Sequence, residues 1–124
     1  MAVSPYIRQA DSGRWGTIGG SVEVDEHPAE AAVREAAEEA GVQVELTRLL
    51  TALGGPEFRL TYPNGDQTAY VSIVYEAQVV AGTPRPDHDE TTGVGWFTLG
   101  ELPRVDLGGF ARSMFGALGI LKPE

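Results

Sequence analysis

The stretch Gly20-Ser21-Val22-Glu23-Val24-Asp25-Glu26-His27-Pro28-Ala29-Glu30-Ala31-Ala32-Val33-Arg34-Glu35-Ala36-Ala37-Glu38-Glu39-Ala40-Gly41-Val42 decides how this chain is read. Ala29 to Ala40 is rich in Ala, Glu and Arg, all strong helix formers. His27 stands at the N-cap, Pro28 suits the first helical position, and Gly41 suits the left-handed residue that stops a helix. Within that helix Glu35, Glu38 and Glu39 fall at i, i+3 and i+4 and share one face. Like charges about 4 Å apart repel by roughly 4 kcal/mol at an effective dielectric near 20. Three ionised carboxylates so placed call for a cation, a raised pKa or full contact with water. For a bare Glu-rich helix the solvated face is the ordinary reading.

The rest of the composition narrows the choice. With 124 residues, 42% of them hydrophobic, the chain has material for one core of ordinary size, so a single domain spanning 1–124 is expected. It holds no run of about 18 apolar residues, and Met1-Ala2-Val3-Ser4-Pro5 has neither a basic start nor an apolar stretch. Membrane and secretion are therefore disfavoured and a cytoplasmic location is expected. Zero cysteines remove disulfides and thiolate metal sites, leaving oxygen ligands or His27 and His88, a set that favours Mg²⁺ or Mn²⁺. The formal net charge of −9 argues against a nucleic-acid partner, because phosphate backbones are bound by clustered Lys and Arg. Much of the acidity is concentrated in Glu23, Asp25, Glu26, Glu30, Glu35, Glu38, Glu39 and Glu45.

Outward from the helix, the pattern is mostly strands. Tyr6 to Gln9 reads as a short strand closed by the turn Asp11-Ser12-Gly13, and Ser21 to Val24 as a short strand or extended loop. Val42 to Thr51 reads as a strand. Glu57 to Tyr62 and Thr68 to Val80 form a hairpin around Pro63-Asn64-Gly65-Asp66, where Asn-Gly supplies positive φ angles. The aromatic and β-branched run Ala69 to Tyr75 is expected to be a central strand. Gly82 to Gly95 is a loop, Val94 to Thr98 a short strand, and Asp106 to Leu121 an amphipathic helix with Leu107, Phe110, Met114, Phe115 and Leu118 on one side. This order suits an α/β or α+β sandwich with helices packed on a mixed sheet.

Read by spacing, the opening stretch is Gly20, five residues, Glu26, seven residues, Arg34-Glu35-Ala36, one residue, Glu38-Glu39, one residue, Gly41-Val42. This resembles the Nudix box. Composition alone would produce the seven fixed positions in about one of 10⁵ such chains, which outweighs the ordinary reading of an acidic helix. Two positions depart from the family's habit: Ala36 replaces a larger aliphatic residue, and Ile18 stands where Pro is common before Gly19-Gly20. The resemblance implies an α/β/α sandwich with a mixed, curved sheet on which the box helix and a C-terminal helix pack. It also implies a longer first strand than Tyr6 to Gln9, so the sheet is expected to expose an edge that a homodimer could cover.

For activity, the resemblance implies metal-dependent water attack on a phosphorus of a nucleoside diphosphate linked to a group X. The substrate would be of the nucleoside triphosphate, nucleotide-sugar or ADP-ribose type. Glu35, Glu38 and Glu39, with the Gly19 carbonyl, would hold the cation; Arg34 would orient the carboxylates, with Glu26 as its partner; Gly20 and Gly41 would bracket the motif. The general base is Glu38, Glu39 or an acid from a separate loop. Glu90, six residues before Trp96, looks like that loop acid and could serve as base or extra ligand, with Asp87 and Asp89 as alternatives.

Substrate contacts are sought among Arg8, Trp15, Phe58 and Tyr62, although an aromatic in a strand is core more often than ligand. Tyr70 could also stack, and Arg14 and Arg59 are further nearby cations. The competing readings are a non-catalytic Nudix-like nucleotide-binding module and an acidic interaction domain whose helix faces water.

Overall fold

Tyr6 and Ile7 are neighbours on the first strand, Val3–Gln9 (β1), and both are buried. Successive strand residues point to opposite faces, so the two side chains enter different cores. Tyr6 packs with Leu102, Leu107, Ala111, Met114, Phe115 and Leu121. Ile7 packs with Ala36, Ala40 and Val42, flanked by Ile18, Val44, Val79 and Val94. The computed structural model describes residues 3–10 and 12–121; Asp11 of the expected turn, Met1, Ala2 and residues 122–124 lie outside them.

In chain order, β1 is followed by β2 (Trp15–Gly16), α1 (Pro28–Ala40), β3 (Gln43–Leu53), β4 (Arg59–Thr61), β5 (Gln67–Ala69), β6 (Ser72–Ala81), β7 (Thr91–Thr98) and α2 (Gly109–Ala117), with 3₁₀ turns at Pro56–Phe58 and Leu102–Arg104. Helix α1 begins and ends where the residues direct. The His27 N–H donates to the Glu30 carboxylate at 3.1 Å. Gly41 takes the left-handed conformation (φ 67°), from which its N–H reaches the Ala37 carbonyl at 3.1 Å. Ala36 is 3% exposed. Its small side chain lies in the core under the helix, which is the consequence of the departure from a larger aliphatic residue.

The α+β class stands, with α1 and α2 contributing to the two cores that meet β1. Several details differ from the sequence expectation. Among the described residues every ladder is antiparallel, in three groups ordered β2-β1-β7, β3-β6 and β4-β5. Parallel pairing is confined to the bridge between Trp15 and Leu107, because β2 is too short to extend a ladder. β1 runs from Val3, earlier than expected, and lies between β2 and β7 rather than at an edge. The expected strand Thr68 to Val80 divides. Its first part closes the β4–β5 hairpin, the Tyr70 N–H turns to the Phe58 carbonyl at 3.1 Å, and β6 restarts against β3. β6 is therefore not central: β3 is its sole ladder partner among the described residues. The turn at Asn64-Gly65 forms, but positive φ is confined to Gly65 (93°): Asn64 keeps a negative φ inside the turn that the Gly65 N–H closes onto the Tyr62 carbonyl at 2.9 Å.

Helix α2 is shorter than the expected Asp106 to Leu121. Asp106 and Leu107 are instead drawn out along Trp15, whose N–H donates to the Asp106 carbonyl and whose carbonyl accepts from Gly108, at 2.9 and 2.8 Å. Leu107 is buried in this extended form, ahead of the helix. Phe110, placed on the apolar side by its periodicity, is 45% exposed, and its ring meets the edge of Phe58 at 5.5 Å.

Candidate active site

One face of α1 and the loop that precedes it are tied together by Arg34. Its guanidinium grips Glu26 through two bonds, from Nε at 2.8 Å and from Nη2 at 3.0 Å. The same group donates to Glu35 at 2.9 Å, to Glu38 at 3.1 Å and to the Ser21 carbonyl at 2.9 Å. A planar fork can satisfy this many acceptors in fixed directions, which a lysine ammonium cannot. Hydrogen bonding to Arg34 holds the Glu26 carboxyl below its usual range, and the same carboxylate raises the pKa of Arg34.

Beyond Arg34, the backbone comes close to the helix. The Gly19 N–H donates to the Glu39 carboxylate at 3.2 Å. A Cβ on Gly20 would overlap the Glu35 carboxylate, so any larger residue there would force that carboxylate to shift. Glu35 and Glu39 are 9% and 6% exposed. Burial pushes the Glu39 carboxyl up to about 8; the Gly19 bond opposes that rise, and the nearby Glu35 and Glu90 reinforce it. A cleft of about 350 Å³ opens here, lined by Gly19, Gly20, Ser21, Glu23, Arg34, Glu35, Glu39 and Glu90.

The three helix carboxylates are thus not equivalent. Glu35 and Glu39 face the cleft, whereas Glu38 has a side chain 57% exposed, leans on Arg34, and lines a neighbouring cleft with Arg85, Asp87 and His88. Among the described residues no three acidic or imidazole side chains close on one point as a ready cation cage. The donor chemistry nonetheless suits a hard divalent cation: carboxylate oxygens dominate, and the buried Glu39 lies beside Glu35, whose cationic partner Arg34 is shared with Glu26 and Glu38.

Arg8, Trp15, Phe58 and Tyr62 do not line this cleft. Trp15 packs edge-on against Phe97 at 5.2 Å, with the Arg8 guanidinium 5.7 Å above its ring. Arg8 is further bonded to the Thr92 hydroxyl at 3.0 Å. Phe58 is buried. Tyr62 is exposed, and its hydroxyl lies 2.8 Å from that of Tyr70. Of the other nearby cations, Arg14 faces Asp106 at 3.8 Å. Ser21 and Glu23 line the cleft without having been singled out as ligands. Their place depends on how the loop folds back onto Arg34, which spacing does not report.

This geometry is accompanied by family likeness. The NUDIX domain model matches residues 5–117, and the chain belongs to that family. A MutT-like protein of Streptomyces ambofaciens is 33% identical over 96 residues, covering 77% of this chain and 55% of the relative. The chain thus spans about half the length of that curated relative. The crystal structure of a MutT NUDIX hydrolase from Burkholderia pseudomallei superposes with a TM-score of 0.73 at 30% identity, covering 95% of this chain and 87% of the other. An ADP-ribose pyrophosphatase from Streptococcus suis shares the fold, with a TM-score of 0.67 at 23% identity over 97% of this chain and 83% of that one. Among the described residues no helix is long and apolar enough to cross a membrane.

Proposed function

We propose that this chain hydrolyses a pyrophosphate bond in a nucleoside diphosphate linked to a group X, by attack of water at phosphorus, with Mg²⁺ or Mn²⁺ as cofactor. The observation that carries this reading is the burial of Glu35 and Glu39 side by side in an oxygen-lined cleft that Glu90 also lines, with Arg34 clamping the acidic face. A pyrophosphate brings several negative charges to that cleft, which is favourable only through a bridging cation. Glu35, Glu38 and Glu39, with the Gly19 carbonyl, are the residues that would hold it, and Glu90 would be a further ligand where it is not the base; Glu38 would reach the cleft by turning its exposed carboxylate away from Arg34. When bound, the cation would neutralise phosphate oxygens and make the attacking water more acidic.

The chain's own groups do the remaining work. Arg34 holds the Glu35 carboxylate at the cleft, and Glu26 keeps Arg34 in place. Glu90 is the proposed general base, accepting the proton of the attacking water; it stands on a separate loop and is free of Arg34, unlike Glu38. The test is a Mg²⁺-dependent hydrolysis screen over nucleoside triphosphates, nucleotide sugars, ADP-ribose and dinucleoside polyphosphates, with products identified. Metal-dependent release of a nucleoside monophosphate from at least one class is expected. Failure of the folded chain to bind Mg²⁺ or Mn²⁺ at millimolar concentration would sink the assignment.

A further inference from the structure

The loop that carries Glu90 is exposed from Asp87 to Glu90, yet its backbone is bonded at almost every residue. One oxygen of Asp87 accepts the N–H groups of Asp89, Glu90 and Thr91 at 2.8, 2.9 and 2.9 Å. The Thr91 hydroxyl accepts the Asp87 N–H at 2.9 Å. Its single proton is shared between the Asp87 carboxylate at 3.1 Å and the Glu39 carbonyl at 3.3 Å. On the far side of Glu90, its carbonyl accepts the Ala10 N–H at 2.9 Å. Thr91 is 1% exposed and opens β7, so the loop is fastened to the sheet, to β1's end and to α1.

The geometry points to Asp87, acting with the Thr91 hydroxyl, as the positioning residue that fixes the Glu90 peptide and aims its side chain across the cleft at Glu35 and Glu39. This rests on the proposed reading of Glu90 as a working group of the site. Asp87 is poorly placed to be the base itself: one of its oxygens already accepts several donors, and it lines the neighbouring cleft with Glu38, Arg85 and His88. What it supplies is direction. A carboxylate on a surface loop without such bonds samples many positions, and a reacting group displaced by about 1 Å costs up to about 10²-fold in rate.

Steady-state kinetics on the substrate classes of the screen test this, in a double-mutant cycle of D87A and E90Q. E90Q is expected to lower kcat by about 10²-fold. D87A is expected to lower kcat by about tenfold with KM held within about threefold, and to add less than about twofold in the E90Q background. D87N keeps an acceptor oxygen and should restore kcat to within about threefold of wild type. Should D87A fail to fold, Thr91→Val against Thr91→Ser carries the same comparison, since only serine keeps the hydroxyl. A wild-type rate in E90Q overturns the role of Glu90 itself, as does a wild-type chain inactive on every substrate. A slow E90Q with an unaffected D87A, a D87A loss that persists undiminished in the E90Q background, or a D87N as slow as D87A overturns the positioning role alone.

Discussion

The two faces of β1 are built from different materials. On the Tyr6 side the core is aromatic and large: Tyr6 meets Phe97 at 5.5 Å and Phe115 at 6.1 Å, and Leu102 and Met114 complete it. On the Ile7 side the fully buried neighbours are small, Ala36, Ala40 and Val42, and next to them two carboxylates are buried as well. The first face gains its stability from apolar area removed from water. The second spends some of that advantage to bury two carboxylates, and for Glu39 that burial makes ionisation unfavourable. Substitutions on the two sides should therefore fail in different ways: one in the melting curve, the other in turnover.

The largest effect belongs to the carboxylates. Glu39→Gln is expected to lower kcat by about 10³-fold or more, a loss of about 4 kcal/mol of transition-state stabilisation. The melting temperature in metal-free buffer should be unchanged or raised. A near wild-type rate in both Glu38→Gln and Glu39→Gln would refute the site. The reverse pattern is expected for Leu102→Ala on the other face, where the side chain is 0% exposed. Chemical denaturation should show a loss of about 2–5 kcal/mol, with kcat unchanged at a temperature where the variant remains folded. An equal drop in kcat would break the division between the faces.

A third effect needs no substrate. The Glu39 pKa is raised to about 8 in the folded chain, against 4.5 for the unperturbed group. Between those values the folded state holds a proton that the unfolded state has lost, so stability falls as pH rises across this window. The stabilisation is fully present below pH 4.5 and gone above pH 8. For metal-free protein the decline should be on the order of 1–3 kcal/mol, read by denaturant titration at pH 5 and pH 8.5. Glu39→Gln should flatten that slope. A slope of equal size in the variant would assign the pH dependence to other groups.

The same contrast explains what could be read in advance. Helix α1 was legible because its signals are local: Pro28, the Ala and Glu content, and Gly41 at the stop. The Arg34–Glu26 pair was implied by the resemblance to the Nudix box, and two bonds join these side chains. The unequal burial of Glu38 and Glu39 was not legible, because their shared face is a property of the helix, whereas burial depends on Gly19 and Thr91 arriving from elsewhere in the chain. The division of Thr68 to Val80 was hidden for a similar reason. Ala69 to Tyr75 is strand-forming throughout, and the break at Tyr70 comes from a bond to Phe58. Trp15 and Phe58 had the residue types of a base-stacking surface, but Phe97 and Phe110 already occupy a side of each.

Tyr62 is where the smallest effect is expected, and it extends the comparison to the β4–β5 hairpin. Its ring is 41% exposed and its hydroxyl is paired with Tyr70, whose pKa is raised first by that hydrogen bond. An exposed neutral hydrogen bond contributes about 1 kcal/mol or less, so Tyr62→Phe should shift stability within that limit and leave kcat unchanged. KM discriminates between the two uses of this side chain. If the hydroxyl serves only to brace the hairpin, KM stays within about twofold of wild type, since the ring remains available for stacking. A tenfold rise in KM at unchanged kcat would mean that the hydroxyl exchanges its Tyr70 partner for the substrate. Recognition of the group X would then extend onto the hairpin, away from the acidic face where the bond is cut.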